Sequence, residues 1–292
     1  MNDVVARQQA LLRERFSAHV GPGSAYALVD FPDHANVGDS AIWLGECELL
    51  RALTGQGPCY VSTWHDFDEA AFREACPEGI LFLHGGGNLG DIWPHHQRFR
   101  EALLATIRDR PVVQLPQSIH FSDNDALARF AAIVADHPDF TLHVRDRDSL
   151  AIAAAHLACA VHLTPDSAFA LGPQARGASD TPRLALLRTD AERVTREAAA
   201  LDDAVVVDWL EDDPDLPSGS DKAARQAQAE ARLKRGLALL SRGETLVTDR
   251  LHGHILAVLL GIPHVVHDNS YGKLGSYISA WTHDTPLLRH AP

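Results

Sequence analysis

The sequence is poor in cysteine, in methionine and in long apolar segments, and each scarcity excludes a class of protein. Its 292 residues include 4 Cys and 1 Met. Four cysteines without a CxxC pair are too few for a disulfide scaffold, so the composition predicts a reduced, cytoplasmic setting. The longest apolar stretch, 255–262, is shorter than the about 20 residues that a membrane-spanning helix needs. The first residues show no signal-peptide pattern, while a peripheral position at the inner membrane stays open.

Positive charge is scarce as well. Lys and Arg total 26 against 39 Asp and Glu, which gives a formal net charge of -13. Nucleic acids and anionic membrane surfaces require a net cationic face, so the balance argues against both as the main partner. It leaves room for a local basic pocket that binds a small anion. With 46% hydrophobic and 22% charged residues, the chain is expected to be globular and long enough for two domains.

What the sequence does contain is a regular alternation of short apolar segments with amphipathic ones, which predicts βαβ units and parallel sheets. In the first half the predicted strands are 26–31, 59–62, 80–84, 112–115 and 142–145, and the predicted helices are 40–53, 67–75, 97–108 and 124–137. The alternation restarts after the Gly- and Pro-rich segment 171–183, with strands RLALLR, AVVVDWL, TLVTD and HVVHD and with helices from 190, at 221–241, at 251–260 and near 275–281.

We therefore predict an α/β fold of two Rossmann-like domains, each with a parallel sheet, and a cleft between them. The predicted domains are 1–175 and 176–292, the second carrying the RLHGH motif, with the last helix free to pack back on the first domain. In open parallel sheets, ligands bind at the carboxyl ends of the strands. Polar residues that directly follow a predicted strand are therefore candidates for the site.

Several polar residues and glycines of the first half meet this criterion. The run of glycines after the third strand could present backbone N–H groups to a phosphate or carboxylate, although it matches neither a Walker motif nor GxGxxG. Arg145 could bind such an anion bidentately. The structural alternatives are a helix cap for Asp39, a tight turn for the glycines and a surface Arg–Asp pair for Arg145. The candidates are Asn36, Asp39, His84, Gly86, Gly87, Asn88, Gln117, Ser118, Arg145 and Asp166.

The segment from 245 to 274 is the most informative of the second half. A strand ends before Arg250, and a helix opens with Leu251 and His252. A cation at a helix N-terminus is unfavourable by roughly 0.3–1 kcal/mol, and a bound anion would compensate for it. The alternative is a structural His with Arg250 paired to Asp249. A second polar turn adds Asn269, Ser270 and Lys273.

The histidines do not have the spacing of a metal site. His252 and His254 are two residues apart and lie on different faces of a helix, and no HExxH or paired CxxC pattern occurs. The sequence therefore predicts neither a metal nor a cofactor.

Taken together, the motifs resemble those of the polysaccharide pyruvyl transferase family over residues 30–281. The ending HDNSYGKL, 267–274, looks most like the branch that makes pyruvate ketals on bacterial exopolysaccharides. The motifs that carry the resemblance are NVGD (36–39), GGG (85–87), PQS (116–118), RD with Ser149 (145–149), PDSAF (165–169) and DRLHGH (249–254).

The resemblance implies a GT-B-like fold, phosphoenolpyruvate as donor and a sugar diol as acceptor, on an oligosaccharide that is lipid-linked or free. It associates Arg145, Arg250 and His252 with donor binding and catalysis. From their places at strand ends and helix starts, we further expect Leu251, Lys273, Ser270, Asn269, Gly86 and Gly87 to bind the donor, and Asn36, Asp39, His84, Asn88, Gln117, Ser118 and Asp166 to line the cleft or bind the acceptor.

Three points stay open at this stage. The general base is Asp39, Asp166 or His84. Trp43, Trp93 and Tyr271 are each either a platform for a sugar ring or part of the core. The function has two alternatives: a GT-B-type glycosyltransferase that uses a nucleotide-sugar donor, and a non-enzymatic sensor of small anions or glycans.

Overall fold

The computed structural model describes residues 3–189, 203–268 and 273–289. The first half forms a seven-stranded parallel sheet in the order β2-β1-β3-β5-β6-β7, with β4 paired to β5. Its strands are β1 (Tyr26–Val29), β2 (Tyr60–Ser62), β3 (Ile80–Leu83), β4 (Gly86–Gly90), β5 (Val112–His120), β6 (Phe140–Val144) and β7 (Ala160–Leu163). Its helices are α1 (Asp3–Phe16), α2 (Val37–Thr54), α3 (Glu69–Ala75), α4 (Pro94–Thr106), α5 (Asn124–Asp136) and α6 (Arg147–His156), followed by a 3₁₀ helix (Ser167–Leu171).

The second half forms a five-stranded parallel sheet in the order β12-β11-β10-β8-β9. Its strands are β8 (Thr181–Leu186), β9 (Val205–Val207), β10 (Gly243–Thr248), β11 (His264–Val266) and β12 (Leu288–Arg289), and its described helices are α7 (Lys222–Ser241), α8 (Leu251–Leu260) and α9 (Lys273–Trp281). The predicted α/β fold with two Rossmann-like parallel sheets is confirmed. The helix predicted from residue 190 lies outside the described residues. The domain boundary at 175 stays a prediction.

Several elements differ from those predicted. α1, β4 and β12 were not predicted, and β7 was expected before Asp166 without bounds. Helix α2 begins at Val37, three residues before the predicted start, because the Asn36 side chain caps it by accepting the N–H of Gly38 at 3.1 Å. Asp221 caps α7 as expected.

Helix α2 is buried between the two halves. Its glycine Gly45 faces the 3₁₀ helix so closely that a Cβ there would collide with the carbonyl oxygen of Ser167. On the other side, a Cβ at Gly236 of α7 would collide with Val37. The apolar core around α2 continues from α1 to α9. The two sheets therefore share this apolar core. The core holds the two sheet edges that border the cleft in place relative to each other.

Arginines of α7 tie the second half to loops of the first half. These three side chains donate to backbone carbonyls there: Arg225 to Val61 at 2.7 Å, Arg232 to Pro32 at 3.0 Å and Arg235 to Ala35 at 2.6 Å. Arg225 also pairs with Asp66, and Asp212 accepts hydrogen bonds from Arg232 and Arg235. We call these three side chains the α7 brace.

Helix α9 contacts residues of the first half. The Trp281 indole donates to the carbonyl of Arg145 at 2.8 Å, and the Tyr277 hydroxyl accepts the N–H of Asp166 at 3.2 Å. Within the described ranges, no helix combines the length and the hydropathy that crossing a membrane requires.

Candidate active site

A cavity of about 430 Å³ lies where the carboxyl ends of strands from both sheets meet. Its lining is rich in arginine and histidine, although the chain as a whole is acidic. The first half contributes His34, Ala35, Asn36, Asp39, Gly87, Asn88, Trp93, His95, His96 and Arg145, and the second half contributes Arg188, Trp209, Leu210, Arg250, Leu251, His252 and Leu274. The structure thus brings together Arg145, Arg250, Leu251 and His252 with Asn36, Asp39, Gly87 and Asn88, as the sequence predicted.

Arg145 directly follows β6 and is held by side chains on both sides. Its Nη1 donates to Asp166 Oδ2 at 2.6 Å and its Nε to Ser118 Oγ at 2.9 Å, and the Ser118 hydroxyl donates to Asp146 at 2.6 Å. The arginine is 4% exposed, so it is not the surface Arg–Asp pair that was considered as an alternative. These contacts fix the guanidinium before any ligand arrives, which favours tight anion binding.

His252 reaches the same carboxylate from the other half. Its Nε2 lies 3.2 Å from Asp166 Oδ2, the oxygen that also binds Arg145. Burial would raise the pKa of Asp166, but His252 and Arg145 outweigh it and hold that pKa far below its ordinary value. Because an ionised carboxylate only accepts hydrogen bonds, the Nε2 of His252 carries the hydrogen of this contact. The ring lies against Gly38, where any Cβ would overlap it.

Arg250 follows β10 and caps no backbone group of α8 with its side chain. Its Nη2 lies 2.8 Å from Asp208, and its guanidinium stands 5.9 Å from the centre of the Trp209 ring. The Oδ1 of Asp249, the carboxylate considered as an alternative partner of Arg250, accepts the backbone N–H of Arg188 at 2.9 Å.

Arg188 is a cavity residue that the sequence analysis missed. It follows β8 just as Arg145 follows β6 and Arg250 follows β10. The same strand-end criterion would have found it in the segment RLALLR. Three arginines from three strand ends therefore face one cavity.

Five predicted residues lie behind the cavity wall: Gly86, His84, Gln117, Ser118 and Asp166. His84 is buried, with Nδ1 2.7 Å from Glu46 Oε2. Burial lowers the pKa of His84, but the Glu46 carboxylate outweighs this effect and raises it. Gln117 donates to the carbonyl of His84 at 3.1 Å and to Asn88 at 2.8 Å. These side chains support the wall, and nothing in the sequence pattern had indicated Glu46.

Three N–H groups in and after the glycine segment are bonded within the protein. The N–H of Gly85 donates to Glu46, that of Asn88 to Gln117 and that of Gly90 to Gln97. Gly86 has φ +127°, which only glycine adopts readily. At Gly87 a Cβ would lie 3.0 Å from Arg145 Nη2. The glycines make space for Arg145 and let β4 pair beside β5.

Asp39 is the candidate base that lines the cavity, whereas Asp166 and His84 lie behind it. Its Oδ2 accepts from Asn36 Nδ2 at 2.8 Å and lies 3.6 Å from His34 Nε2. Burial would raise the pKa of Asp39, but the charges of His34 and His252 outweigh burial and lower it. Asp39 is therefore a carboxylate near neutral pH.

The remaining predicted residues are accounted for as follows. Asn269, Ser270, Tyr271 and the side chain of Lys273 lie outside the described residues. Trp43 is 2% exposed and packs in the core, so it is no sugar platform. His254 is buried and bonded to His264 at 2.7 Å and Thr282 at 2.8 Å. In the part of the chain that the structure covers, no three His, Cys, Asp or Glu side chains converge as metal ligands do.

Two parallel sheets with a cavity at their carboxyl ends place the chain in the class of α/β proteins whose ligands bind at that edge of the sheet. The family model of polysaccharide pyruvyl transferases matches residues 36–271. The chain therefore belongs to the polysaccharide pyruvyl transferase family and is a transferase.

Individual relatives agree with this assignment. Pyruvyl transferase 1 of Schizosaccharomyces pombe is 35% identical over 89% of this chain and 70% of its own length. A Bacillus subtilis protein provisionally named pyruvyl transferase EpsO is 31% identical over 92% of this chain and 89% of its own. The crystal structure of an uncharacterized Klebsiella pneumoniae protein aligns with this chain over the full length of both, with a TM-score of 0.63 and 19% sequence identity. This similarity supports the fold alone.

Proposed function

We propose that this protein transfers the pyruvyl group of phosphoenolpyruvate to two hydroxyls of a sugar in an exopolysaccharide repeat unit and forms a pyruvate ketal. The observation that carries the proposal is the meeting of Arg145, Arg188 and Arg250 with His252 in one cavity of an otherwise acidic protein. The acceptor is an oligosaccharide, at the cytosolic membrane face if it is lipid-linked.

The donor fits the charge of the cavity. Phosphoenolpyruvate carries a carboxylate and a phosphate close together, and arginine forks bind both groups bidentately. Arg145 is fixed by Asp166 and Ser118, so it suits the smaller, planar carboxylate. Arg250 lies beside the N-terminus of α8, whose free N–H groups suit the phosphate.

The chemistry begins with a proton. His252 donates it to C3 of the enol, and C2 becomes an oxocarbenium-like centre. A first sugar hydroxyl then forms a bond to C2 and loses its proton to Asp39. The C2–oxygen bond to phosphate breaks next, the second hydroxyl closes the ketal ring, and its proton leaves with the phosphate. Asp39 returns the first proton to His252, so one donor and one diol give one ketal and one inorganic phosphate.

The roles of the two groups follow from their surroundings. A histidine whose unperturbed pKa lies near neutrality suits proton transfer in both directions. Asp166 fixes its ring through Nε2. Asp39 faces the cavity as a carboxylate, which is the state that a base requires.

A donor screen tests the proposal. Calorimetry is run with phosphoenolpyruvate, pyruvate, UDP-sugars and GDP-sugars, followed by an assay for phosphate released in the presence of oligosaccharide acceptors. We expect binding of phosphoenolpyruvate and acceptor-dependent phosphate release. Tight binding of a nucleotide sugar without any response to phosphoenolpyruvate would favour the glycosyltransferase, and donor binding without phosphate release from any acceptor would favour the sensor.

A further inference from the structure

Two tryptophans stand exposed beside the cavity, and the proposed reaction uses neither. Trp64 is 42% exposed and Trp93 is 36% exposed, whereas most large apolar side chains of the described chain are buried. Both contact the ring of His95, at centroid distances of 4.8 and 6.5 Å. Trp93 and His95 line the cavity, so the three rings form a continuous surface that leads from the cavity outwards. We call it the aromatic shelf.

Hydrogen bonds hold the turn that carries Trp64. Trp64 sits in a turn that is closed by Asp66, whose Oδ1 accepts the N–H of Thr63 at 2.7 Å and its hydroxyl at 2.8 Å. Arg225 of the α7 brace pairs with the same Asp66. Side chains fixed before binding lose little entropy when a ligand arrives.

The other end of the shelf is fixed as well. Trp93 precedes Pro94, the first residue of α4, and proline at this position presets the backbone for the helix. In the first turn, His96 is held by both oxygens of Asp30, at 2.8 and 3.0 Å. The backbone of Asp30 has φ +71°, an unusual conformation for a residue other than glycine. This support fixes the side of the cavity on which His95 and Trp93 stand.

The chemistry of the shelf contrasts with that of the arginines that line the same cavity. Burial lowers the pKa of His95, so its ring is neutral at pH 7. The shelf therefore offers uncharged aromatic faces, while Arg188 and Arg250 of the same cavity offer positive charge. An uncharged ligand with flat C–H faces and a polar rim suits such rings, and pyranose sugars have this form.

We propose that the aromatic shelf is a subsite for the acceptor, in which Trp93 stacks on the sugar nearest the cavity and Trp64 stacks on the next sugar along the oligosaccharide. The assignment rests on the proposed function insofar as the nearer sugar is the one that receives the pyruvyl group. The shelf gives a role to two tryptophans that stand exposed to solvent. It also implies that the protein recognises at least a disaccharide.

The binding test uses lactose, cellobiose and maltose with the methyl glycosides of glucose and galactose as shorter probes, in ligand-observed NMR titrations that need no turnover. We expect at least one disaccharide to bind better than the matching monosaccharide. Trp64→Ala should weaken disaccharide binding about tenfold, the loss of one good stacking contact. It should leave monosaccharide binding unchanged, whereas Trp93→Ala weakens both.

Two controls accompany the variants. Trp64→Phe keeps a stacking ring and should retain most of the affinity, and Val206→Ala removes another exposed apolar side chain, 56% exposed, that does not line the cavity. The shelf is refuted if none of the disaccharides binds, or if Trp64→Ala and Trp93→Ala bind them as the unaltered protein does.

Calorimetry with phosphoenolpyruvate separates this proposal from the proposed function. Both tryptophan variants should bind the donor normally. If the variants bind phosphoenolpyruvate but neither substitution changes the affinity for disaccharides, the shelf is wrong and the donor assignment remains supported. If disaccharide binding depends on Trp64 but phosphoenolpyruvate does not bind, the shelf is supported and the donor assignment is wrong.

Discussion

Asp166→Asn is the substitution whose effect can be followed furthest from the structure. The carboxylate is 1% exposed, and its Oδ2 binds both Arg145 at 2.6 Å and His252 at 3.2 Å. Removing one member of a buried ion pair destabilises a protein by about 3–5 kcal/mol. In the unaltered protein the N–H of Ala168 donates to Asp166 at 2.9 Å, and asparagine can still accept this hydrogen bond. We therefore expect a destabilisation at the lower end of this range, about 3 kcal/mol. At about 2–4 °C per kcal/mol, the melting temperature should fall by about 6–12 °C.

The pH dependence of this difference is the sharper test. The pKa of Asp166 is lowered in the folded protein, so its stabilising effect is complete above the unfolded value of about 3.9 and is lost as the pH falls towards the folded value. The stability gap between the unaltered protein and Asp166→Asn should shrink below about pH 4. Groups remote from Asp166 titrate alike in both proteins and cancel.

Urea unfolding followed by circular dichroism measures the gap at each pH, with equal m-values as the check that one transition is compared. Asp148→Asn is the control, because Asp148 is exposed in the first turn of α6 and its loss should change the free energy of unfolding by less than about 0.5 kcal/mol. A gap below about 1 kcal/mol at pH 7, or one that does not shrink by pH 3, would show that the carboxylate does not hold the two halves in this way.

The other predictions concern the ligand. Arg250→Ala should abolish most donor binding in calorimetry while the circular dichroism spectrum persists; unfolding of the variant with donor affinity retained would contradict the assignment. His252→Gln should bind the donor normally and lower turnover by roughly 10²–10⁴-fold in the phosphate-release assay, and near-normal turnover would reject the proton-donor role. Gly87→Ala places a Cβ 3.0 Å from Arg145 Nη2 and should weaken donor binding several-fold, whereas Gly57→Ala, with open space around it, should not; equal affinities in both would show that Arg145 tolerates the displacement.

The strand-end criterion predicted much of the site from the sequence. It pointed to Arg145, Arg250 and His252 because each follows a recognisable apolar strand, and all three line the cavity. The criterion fails at the next level of detail. His84 and Asp166 also follow strands but lie behind the wall, since a shift of one residue turns a side chain to the opposite face.

The elements that escaped prediction lack the pattern that prediction needs. β4 is the segment GGNLG, whose glycines give no apolar signal, and it forms only because β5 extends past the predicted end to offer it a partner. Helix α1 buries Val4, Leu12 and Phe16, which lie on one face of the helix. The residue between Val4 and Leu12 on that face is the polar Gln8, which is also buried and interrupts the apolar pattern. The pairing of His84 with Glu46 connects distant segments, so no local pattern could reveal it.

The α7 brace has a consequence for how substrates enter and leave. Its arginines join the second sheet to the very loops that carry His34, Asn36 and Trp64. A hinge motion that parted the two sheets would have to break these bonds and expose the core around α2 at the same time. We therefore expect donor and glycan to pass through a mouth of fixed width, and the reach of a branched glycan through that mouth to decide which hydroxyls are modified.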